Sequence, residues 1–147
     1  MTTIVSAKAE HLDQWAQLRH RLWDEDPAEA HREEAVEQLG DEERFLNLVA
    51  IDDGHVVAFA EASIRHEYVN GCDGSPVVFL EGIFVVPEMR RSGLARQLCD
   101  KVAEWGRARG CAEFASDAWH DDTESHAFHL AAGFVETERV VYFRQEL

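Results

Sequence analysis

The stretch Phe79-Leu80-Glu81-Gly82-Ile83-Phe84-Val85-Val86, followed by Arg90-Arg91-Ser92-Gly93-Leu94-Ala95, decides how this chain folds. The apolar run reads as a strand, and the glycine-containing turn after it opens a long amphipathic stretch. A helix N-terminus carries about half a positive charge and several unpaired N–H donors, which suits an anion such as a pyrophosphate. Gly93 lets a phosphate approach the main chain, Ala95 keeps the approach open, and Arg90, Arg91 and Arg96 add cationic charge. An ordinary strand-to-helix turn with exposed arginines has the same composition. Dinucleotide and P-loop motifs fit poorly, because neither Gly-x-Gly-x-x-Gly nor a closing Gly-Lys-Ser/Thr is present.

Working outward, Leu94, Leu98, Val102 and Trp105 line one face of a helix ending near Gly110. Phe114-Ala115 lies in a short strand, and Asp121-Asp122-Thr123 starts a helix that stops at Gly133. The run from Phe134 to Phe143 reads as a final strand, with a possible bend into a hairpin. Toward the N-terminus, Val56–Ile64 and Phe45–Ile51 form two strands joined by Asp52-Asp53-Gly54-His55, a hairpin turn with glycine where positive φ is needed. Leu12, Trp15, Leu18 and Leu22 mark an amphipathic helix over His11–Trp23, and Pro27 opens another that Gly40 ends. Ile4-Val5 supplies a first short strand. The order β-α-α-β-β-β-α-β-α-β predicts an α/β (α+β) fold with helices on the faces of a mixed central sheet, in one domain over residues 1–147.

The formal net charge of −15 is large for 147 residues and argues against nucleic acid, whose phosphates demand Lys and Arg. An acidic chain attracts polycations instead; a solubilising surface charge is the plainer reading. No apolar run approaches the roughly 20 residues of a membrane span, so no membrane partner is expected. Met1-Thr2-Thr3-Ile4-Val5 lacks a basic region followed by an apolar segment, which predicts a cytoplasmic protein. Cys72, Cys99 and Cys111 are odd in number and widely spaced, which suggests neither a disulfide framework nor a zinc knuckle. His120, Asp121, His126 and His129 invite a metal reading, yet no second carboxylate–histidine constellation accompanies them, and no metal is expected.

Leu80-Glu81-Gly82-Ile83-Phe84-Val85-Val86-Pro87, then Arg90-x-x-Gly93-x-Ala95, then Ala132-Gly133-Phe134 closing the last helix, resembles the Gcn5-related N-acetyltransferases over nearly the whole chain. Ala62-Ser63-Ile64-Arg65-His66-Glu67-Tyr68-Val69-Asn70-Gly71-Cys72-Asp73, Ser75-Pro76-Val77-Val78-Phe79-Leu80-Glu81-Gly82-Ile83 and Gly133-Phe134-Val135-Glu136-Thr137-Glu138-Arg139-Val140 are similar to the aminoglycoside 6′-N-acetyltransferase subgroup. The resemblance implies that fold, with a splayed pair of parallel strands. It implies an antibiotic-resistance enzyme that moves acetyl from acetyl-coenzyme A to a drug amine, by direct attack in a ternary complex. Acetyltransfer to another polyamine or to a peptide amine is the alternative, and a non-catalytic coenzyme A- or aminoglycoside-binding module is a further one.

In residue terms, the resemblance implies that the backbone of Ile83, Phe84 and Val85 pairs with the pantetheine arm like an added strand. The pyrophosphate would lie over Arg91, Ser92, Gly93, Leu94 and Ala95, with Arg90 and Arg96 nearby. Asp122 stands where an asparagine often contacts the cofactor, and a carboxylate there is less welcoming to an anionic nucleotide. Glu81 would hold the acceptor ammonium or relay its proton through water. Asp117 would bind the sugar amines, Glu136 would extend the acidic surface, and Trp23 and Tyr68 would wall the sugar rings. Surface carboxylates, a turn cap at Asp117 and core packing of Trp23 are the structural alternatives. His129 occupies the place of a tyrosine that protonates the leaving thiolate, a task that suits imidazole; a satisfied helix histidine is the other reading. Members of the subgroup are commonly homodimers, which sets the expected assembly.

Overall fold

The computed structural model describes residues 1–147. Five strands, β1 (Thr2–Ser6), β2 (Phe45–Asp52), β3 (His55–Arg65), β4 (Val77–Val85) and β5 (Glu113–Ser116), form one sheet in the order β1-β2-β3-β4-β5. The first four are antiparallel neighbours, and β5 lies parallel to β4. Helices α1 (Leu12–Leu22), α2 (Ala28–Leu39), α3 (Leu94–Ala108) and α4 (Thr123–Ala131) complete the fold. Between β2 and β3, Asp53 at φ 49° and Gly54 at φ 76° make the tight hairpin turn with both central residues left-handed.

Strand alternation divides β3 between two cores. Ala58, Ala60, Ala62 and Ile64 join Val78 and Leu80 of β4 under Leu94, Leu98 and Val102, the apolar stripe of α3. On the opposite face Phe59 packs with Trp15 and Leu18 of α1 and with Ala35 of α2. Glu61, Ser63 and Arg65 continue that second face by the same period of two, so polar groups succeed the apolar core along it.

Strand β4 is irregular on both of its edges. Register slips between Glu61 and Ala62: Glu61 stands opposite Gly82 and Ala62 opposite Leu80, which leaves Glu81 as the extra residue of a β-bulge. The parallel pairing of β4 with β5 stops at Leu80–Ser116, while β4 runs on to Val85 with that edge unpaired.

The expected final strand is not formed. Phe134 packs edge-on against Phe114 at 4.8 Å between ring centroids, but no strand follows it. Beyond it no backbone group bonds to another backbone group of the chain, and Val135, Val141, Tyr142 and Phe143 stand exposed. The alternating apolar pattern is that of a strand, but a strand needs a neighbouring backbone, and within one chain this segment has none.

Candidate active site

The anion half of the site is built where β4 leaves its neighbour. A short 3-10 turn over Pro87–Met89 carries the chain from β4 toward α3. Gly93, at φ 84°, forms the N-cap of α3 in the left-handed region that a side chain rarely enters. Arg91 also lies there, at φ 62°, a strained position for a residue with a β-carbon. The first helical bond runs from the Gln97 amide to the Gly93 carbonyl at 3.0 Å, so the amides of Leu94, Ala95 and Arg96 precede the helical ladder. The Leu94 side chain itself is buried in the core; only its backbone is available here.

The arginines are not equivalent. Arg90 donates from Nε to the Val85 carbonyl at 2.8 Å and lies over the Phe84 ring. Arg96 donates to the Ala131 carbonyl at 3.1 Å, which ties α3 to the end of α4. Arg91 makes no ion pair or side-chain hydrogen bond, which leaves its guanidinium for an anion. The Ser92 hydroxyl donates to the Met89 carbonyl at 2.5 Å and braces the turn. Asp122 accepts the Ser125 amide at 3.1 Å, so its carboxylate caps α4.

On the other face of the sheet a cleft of about 510 Å³ opens between α1, α2 and the bulge, lined by Trp23, Glu25, Asp26, Glu67 and Glu81 among others. Six carboxylates and three guanidinium groups border it, a net acidic wall. Trp23, the C-cap of α1, stacks on His31 and lies against the backbone of Gly82, where any β-carbon would collide with its ring. The indole therefore serves both packing and the cleft. Its carbonyl faces His31 Nε2 at 2.7 Å, which pins the end of α1 to α2.

Glu81 enters this cleft because the bulge turns it there, and it does not stand alone. Arg65 Nη2 donates to Oε1 at 2.8 Å and to Oε2 at 2.9 Å, and the Ser63 hydroxyl donates to Oε2 at 2.5 Å. Beneath them Glu61 is buried with Arg19, each 2% exposed; Arg19 pairs with both Glu61 and Glu34, and Trp15 Nε1 donates to Glu61 at 3.0 Å. Burial raises the Glu61 carboxyl above its usual range, and the Arg19 charge with hydrogen bonds from Arg19, Trp15 and Gln38 opposes that rise. At the rim, hydrogen bonds from its own backbone and that of His66 hold the Glu67 carboxyl below its usual range, with help from Arg65 and Arg44.

Asp117 is exposed immediately after β5, one residue beyond the point where the strands part. Tyr68 is exposed on the loop between β3 and β4. Glu136 lies on the C-terminal segment and pairs with Arg139 at 2.6 Å, so within this chain it joins neither Glu81 nor Asp117.

His129 faces two serines. Its Nδ1 lies 2.7 Å from the Ser125 carbonyl and its Nε2 lies 2.8 Å from Ser116 Oγ. A carbonyl only accepts, so Nδ1 carries the proton; in the neutral ring Nε2 then accepts from the serine hydroxyl. His126 Nε2 is 2.8 Å from the Trp119 carbonyl, and no group of three or more His, Cys, Asp or Glu side chains is gathered as for a metal.

Sequence pattern alone does not mark Arg65, Ser63, Glu61 or Ser116 as site residues. Period two in β3 places Glu61, Ser63 and Arg65 on one face, and a charged residue amid an apolar strand was the signal available. Ser116 carried none, since its partner lies on the following helix.

An aminoglycoside N(6′)-acetyltransferase type 1 from Salmonella typhimurium is 50% identical over 135 residues, 92% of each chain. One from Acinetobacter haemolyticus is 46% identical over 144 residues, 98% of each. Among solved structures, AAC(6′)-Iy in complex with the bisubstrate analog CoA-S-monomethyl-acetylneamine superposes with a TM-score of 0.93 at 46% identity, covering 100% of this chain and 99% of that one. The 6′-N-acetyltransferase AAC(6′)-Ih from Acinetobacter baumannii gives 0.95 at 46% identity, with the same coverage. The model of the acetyltransferase (GNAT) family matches residues 12–134, and this chain belongs to that family.

Proposed function

We infer that this chain, as one domain over residues 1–147, transfers acetyl from acetyl-coenzyme A to the 6′-amine of aminoglycosides. The observation that carries the reading is the division of labour along β4. Its bulge turns Glu81 into an acidic cleft, and its free edge from Ile83 to Val85 leads to the helix start at Gly93. A cationic acceptor and an anionic donor thus meet across one strand.

When bound, acetyl-coenzyme A supplies an activated acetyl thioester. The edge left unpaired beyond Leu80 fits an extended pantetheine arm along Ile83, Phe84 and Val85, and the Ile83 and Val85 amides, which face away from β3, are the donors for a developing oxyanion. Arg91, Ser92, Gly93, Leu94 and Ala95 cradle the pyrophosphate through backbone donors, with Arg90 and Arg96 at its sides. Asp122 stands at the N-cap of α4, its carboxylate occupied by the Ser125 amide.

The acceptor amine is mostly protonated near neutral pH and must lose a proton before it attacks. Glu81 holds the ammonium and receives that proton through water, while Asp117, Trp23 and Tyr68 hold the rest of the drug. The amine nitrogen bonds to the acetyl carbon, the oxyanion collapses with cleavage of the carbon–sulfur bond, and the nitrogen gives up its second proton to leave the neutral amide. The thiolate then takes a proton. His129 delivers it only as an imidazolium, because the neutral ring has no proton on Nε2, and the atom that Nε2 faces is the Ser116 hydroxyl oxygen.

Acetylation removes a positive charge from the drug and adds bulk, which is the basis of a resistance role. The free thiols of Cys72, Cys99 and Cys111 suit a reducing compartment, the cytoplasm. The exposed apolar segment beyond Phe134 suits a homodimer in which each copy covers its partner's arm, which also carries Glu136.

Thiol release from acetyl-coenzyme A with kanamycin, tobramycin, spermidine and a histone-like peptide tests the reading. Turnover with the two drugs is expected. Saturable drug binding without thiol release, or turnover of the peptide alone, overturns it.

A further inference from the structure

We propose that Ser116 is a nucleophile: with no acceptor bound, its hydroxyl takes the acetyl group from acetyl-coenzyme A, and water then frees acetate. The chain is thereby also a slow acetyl-coenzyme A hydrolase. The proposal rests on the reading of β4 as the bed of acetyl-coenzyme A. It starts from the partner of the hydroxyl. Ser116 Oγ lies 2.8 Å from His129 Nε2, while Nδ1 of the same ring lies 2.7 Å from the Ser125 carbonyl and 3.3 Å from Ser125 Oγ. The carbonyl fixes the proton on Nδ1, so Nε2 presents a basic lone pair to the Ser116 hydroxyl. A hydroxyl bonded to an imidazole that a third group orients is the arrangement that activates a serine for attack.

Other bonded serines lack that base. Ser75 and Ser92 donate to the carbonyls of His66 and Met89, which cannot carry a proton away. Ser63 donates to Glu81, whose carboxylate already pairs with Arg65. Position singles out Ser116 as well. It is the last residue of β5 that pairs with β4, and its Oγ lies 3.5 Å from the Leu80 carbonyl, at the apex of the parting. The edge of β4 that opens there runs to Val85 and on to the helix start at Gly93. With its anionic end at Gly93, an extended coenzyme brings its thioester end back along Val85, Phe84 and Ile83 toward Leu80, and so toward Ser116.

The step balances without another reagent. Ser116 Oγ bonds to the acetyl carbon as its proton passes to His129 Nε2, and the Ile83 amide on the open edge steadies the oxyanion. Collapse breaks the carbon–sulfur bond, and the imidazolium returns the proton to the thiolate. Coenzyme A leaves as the free thiol, and Ser116 carries an acetyl ester. Water then attacks the ester with Nε2 again as base, which leaves acetate, a solvent proton and the restored hydroxyl. A bound amine attacks the same acetyl carbon directly, so hydrolysis belongs to the empty acceptor site.

The test mixes the protein with acetyl-coenzyme A alone, quenches it in acid over a range of times and maps the peptides by mass. An acetyl group on Ser116 is expected, together with thiol release that continues without drug. S116A is expected to lose the label and to slow drug-free thiol release about hundredfold or more, and H129F to do the same with Ser116 in place. Ser116 free of acetyl at every time, or drug-free thiol release that S116A leaves unchanged, overturns the proposal whether or not kanamycin is acetylated. Labelled Ser116 in a protein that does not acetylate kanamycin overturns the aminoglycoside reading and leaves this one standing. A chain that does not bind acetyl-coenzyme A in calorimetry overturns the donor site on which both rest.

Discussion

His129 Nε2 lies 2.8 Å from Ser116 Oγ, which joins the last turn of α4 to the last paired residue of β5 at the point where β4 and β5 part. The ring is wedged between Phe128 and Phe134, each 5.2 Å from it between centroids. H129F should preserve that packing and remove the proposed proton carrier. Loss of a positioned acid is worth about 10²-fold or more in kcat, with the KM for drug little changed. S116A leaves the imidazole in place and should cost about tenfold by the same rule, in kcat alone. Steady-state kinetics with a saturating drug measure both; unaltered kcat in H129F would take the pair out of the chemistry.

In the proposed function Glu81 and Asp117 hold the acceptor from two sides of the strand parting, and neither touches the turn at Gly93. E81Q and D117N should therefore weaken drug turnover while acetyl-coenzyme A binding is retained. About tenfold in kcat/KM is expected for D117N, the scale of one charge-assisted hydrogen bond. E81Q should lose more, because it removes a proton acceptor as well as a charge. Calorimetric binding of acetyl-coenzyme A separates the two halves: a parallel loss there would show that the carboxylates act through the fold.

Most of the fold is legible in local pattern. The β4 run and the glycine turn announce a strand, a turn and a helix start, and the α3 stripe announces a buried face. What the pattern misses is geometry between strands. Nothing local to Glu81 marks it as the extra residue of a bulge, since a bulge is a property of two strands in register. Arg65 reads as the polar end of a strand until the cross-strand pairing sets it on Glu81. Phe134 to Phe143 fails for the opposite reason: its alternation is strand-like, but no strand of the same chain pairs with it.

The buried ion pair beneath the cleft sets a stability prediction. E61Q keeps the shape and removes the charge that Arg19 meets at the sheet, which leaves Arg19 only the half-solvated Glu34. Breaking a buried pair by removing one partner costs about 3–5 kcal/mol, most of it the uncompensated charge. Urea denaturation should show that loss with an unchanged m-value. A change below about 1 kcal/mol would mean that Arg19 is satisfied without Glu61.

Cys99 lies on α3 within the core, and burial pushes its thiol up from the ordinary 9.0 to about 11, with Asp100 adding to the rise and Arg96 opposing it. The folded state therefore holds this proton more tightly than the unfolded chain. The resulting stabilisation is fully present below pH 9 and is lost as pH rises through about 11. Near pH 8 a thiol reagent should leave Cys99 unmodified until denaturant is added. Rapid labelling of Cys99 in the native protein would contradict its place in the core.

The C-terminal arm offers the last separation of fold from assembly. Residues 135–147 contribute no member to either of the two main cores, and Phe143 is 92% exposed within one chain. Extended, the arm reaches about 40 Å, ample to lie across a second copy. Removing residues 135–147 should thus leave the thermal transition nearly intact while converting a dimer to a monomer in sedimentation. Apolar side chains of this size contribute about 1.5–3 kcal/mol each when fully covered, so their loss is enough to abolish association. A truncated chain that still sediments as a dimer would move the interface elsewhere on the sheet or helices. A full-length chain that sediments as a monomer would leave the arm without the partner that its composition calls for.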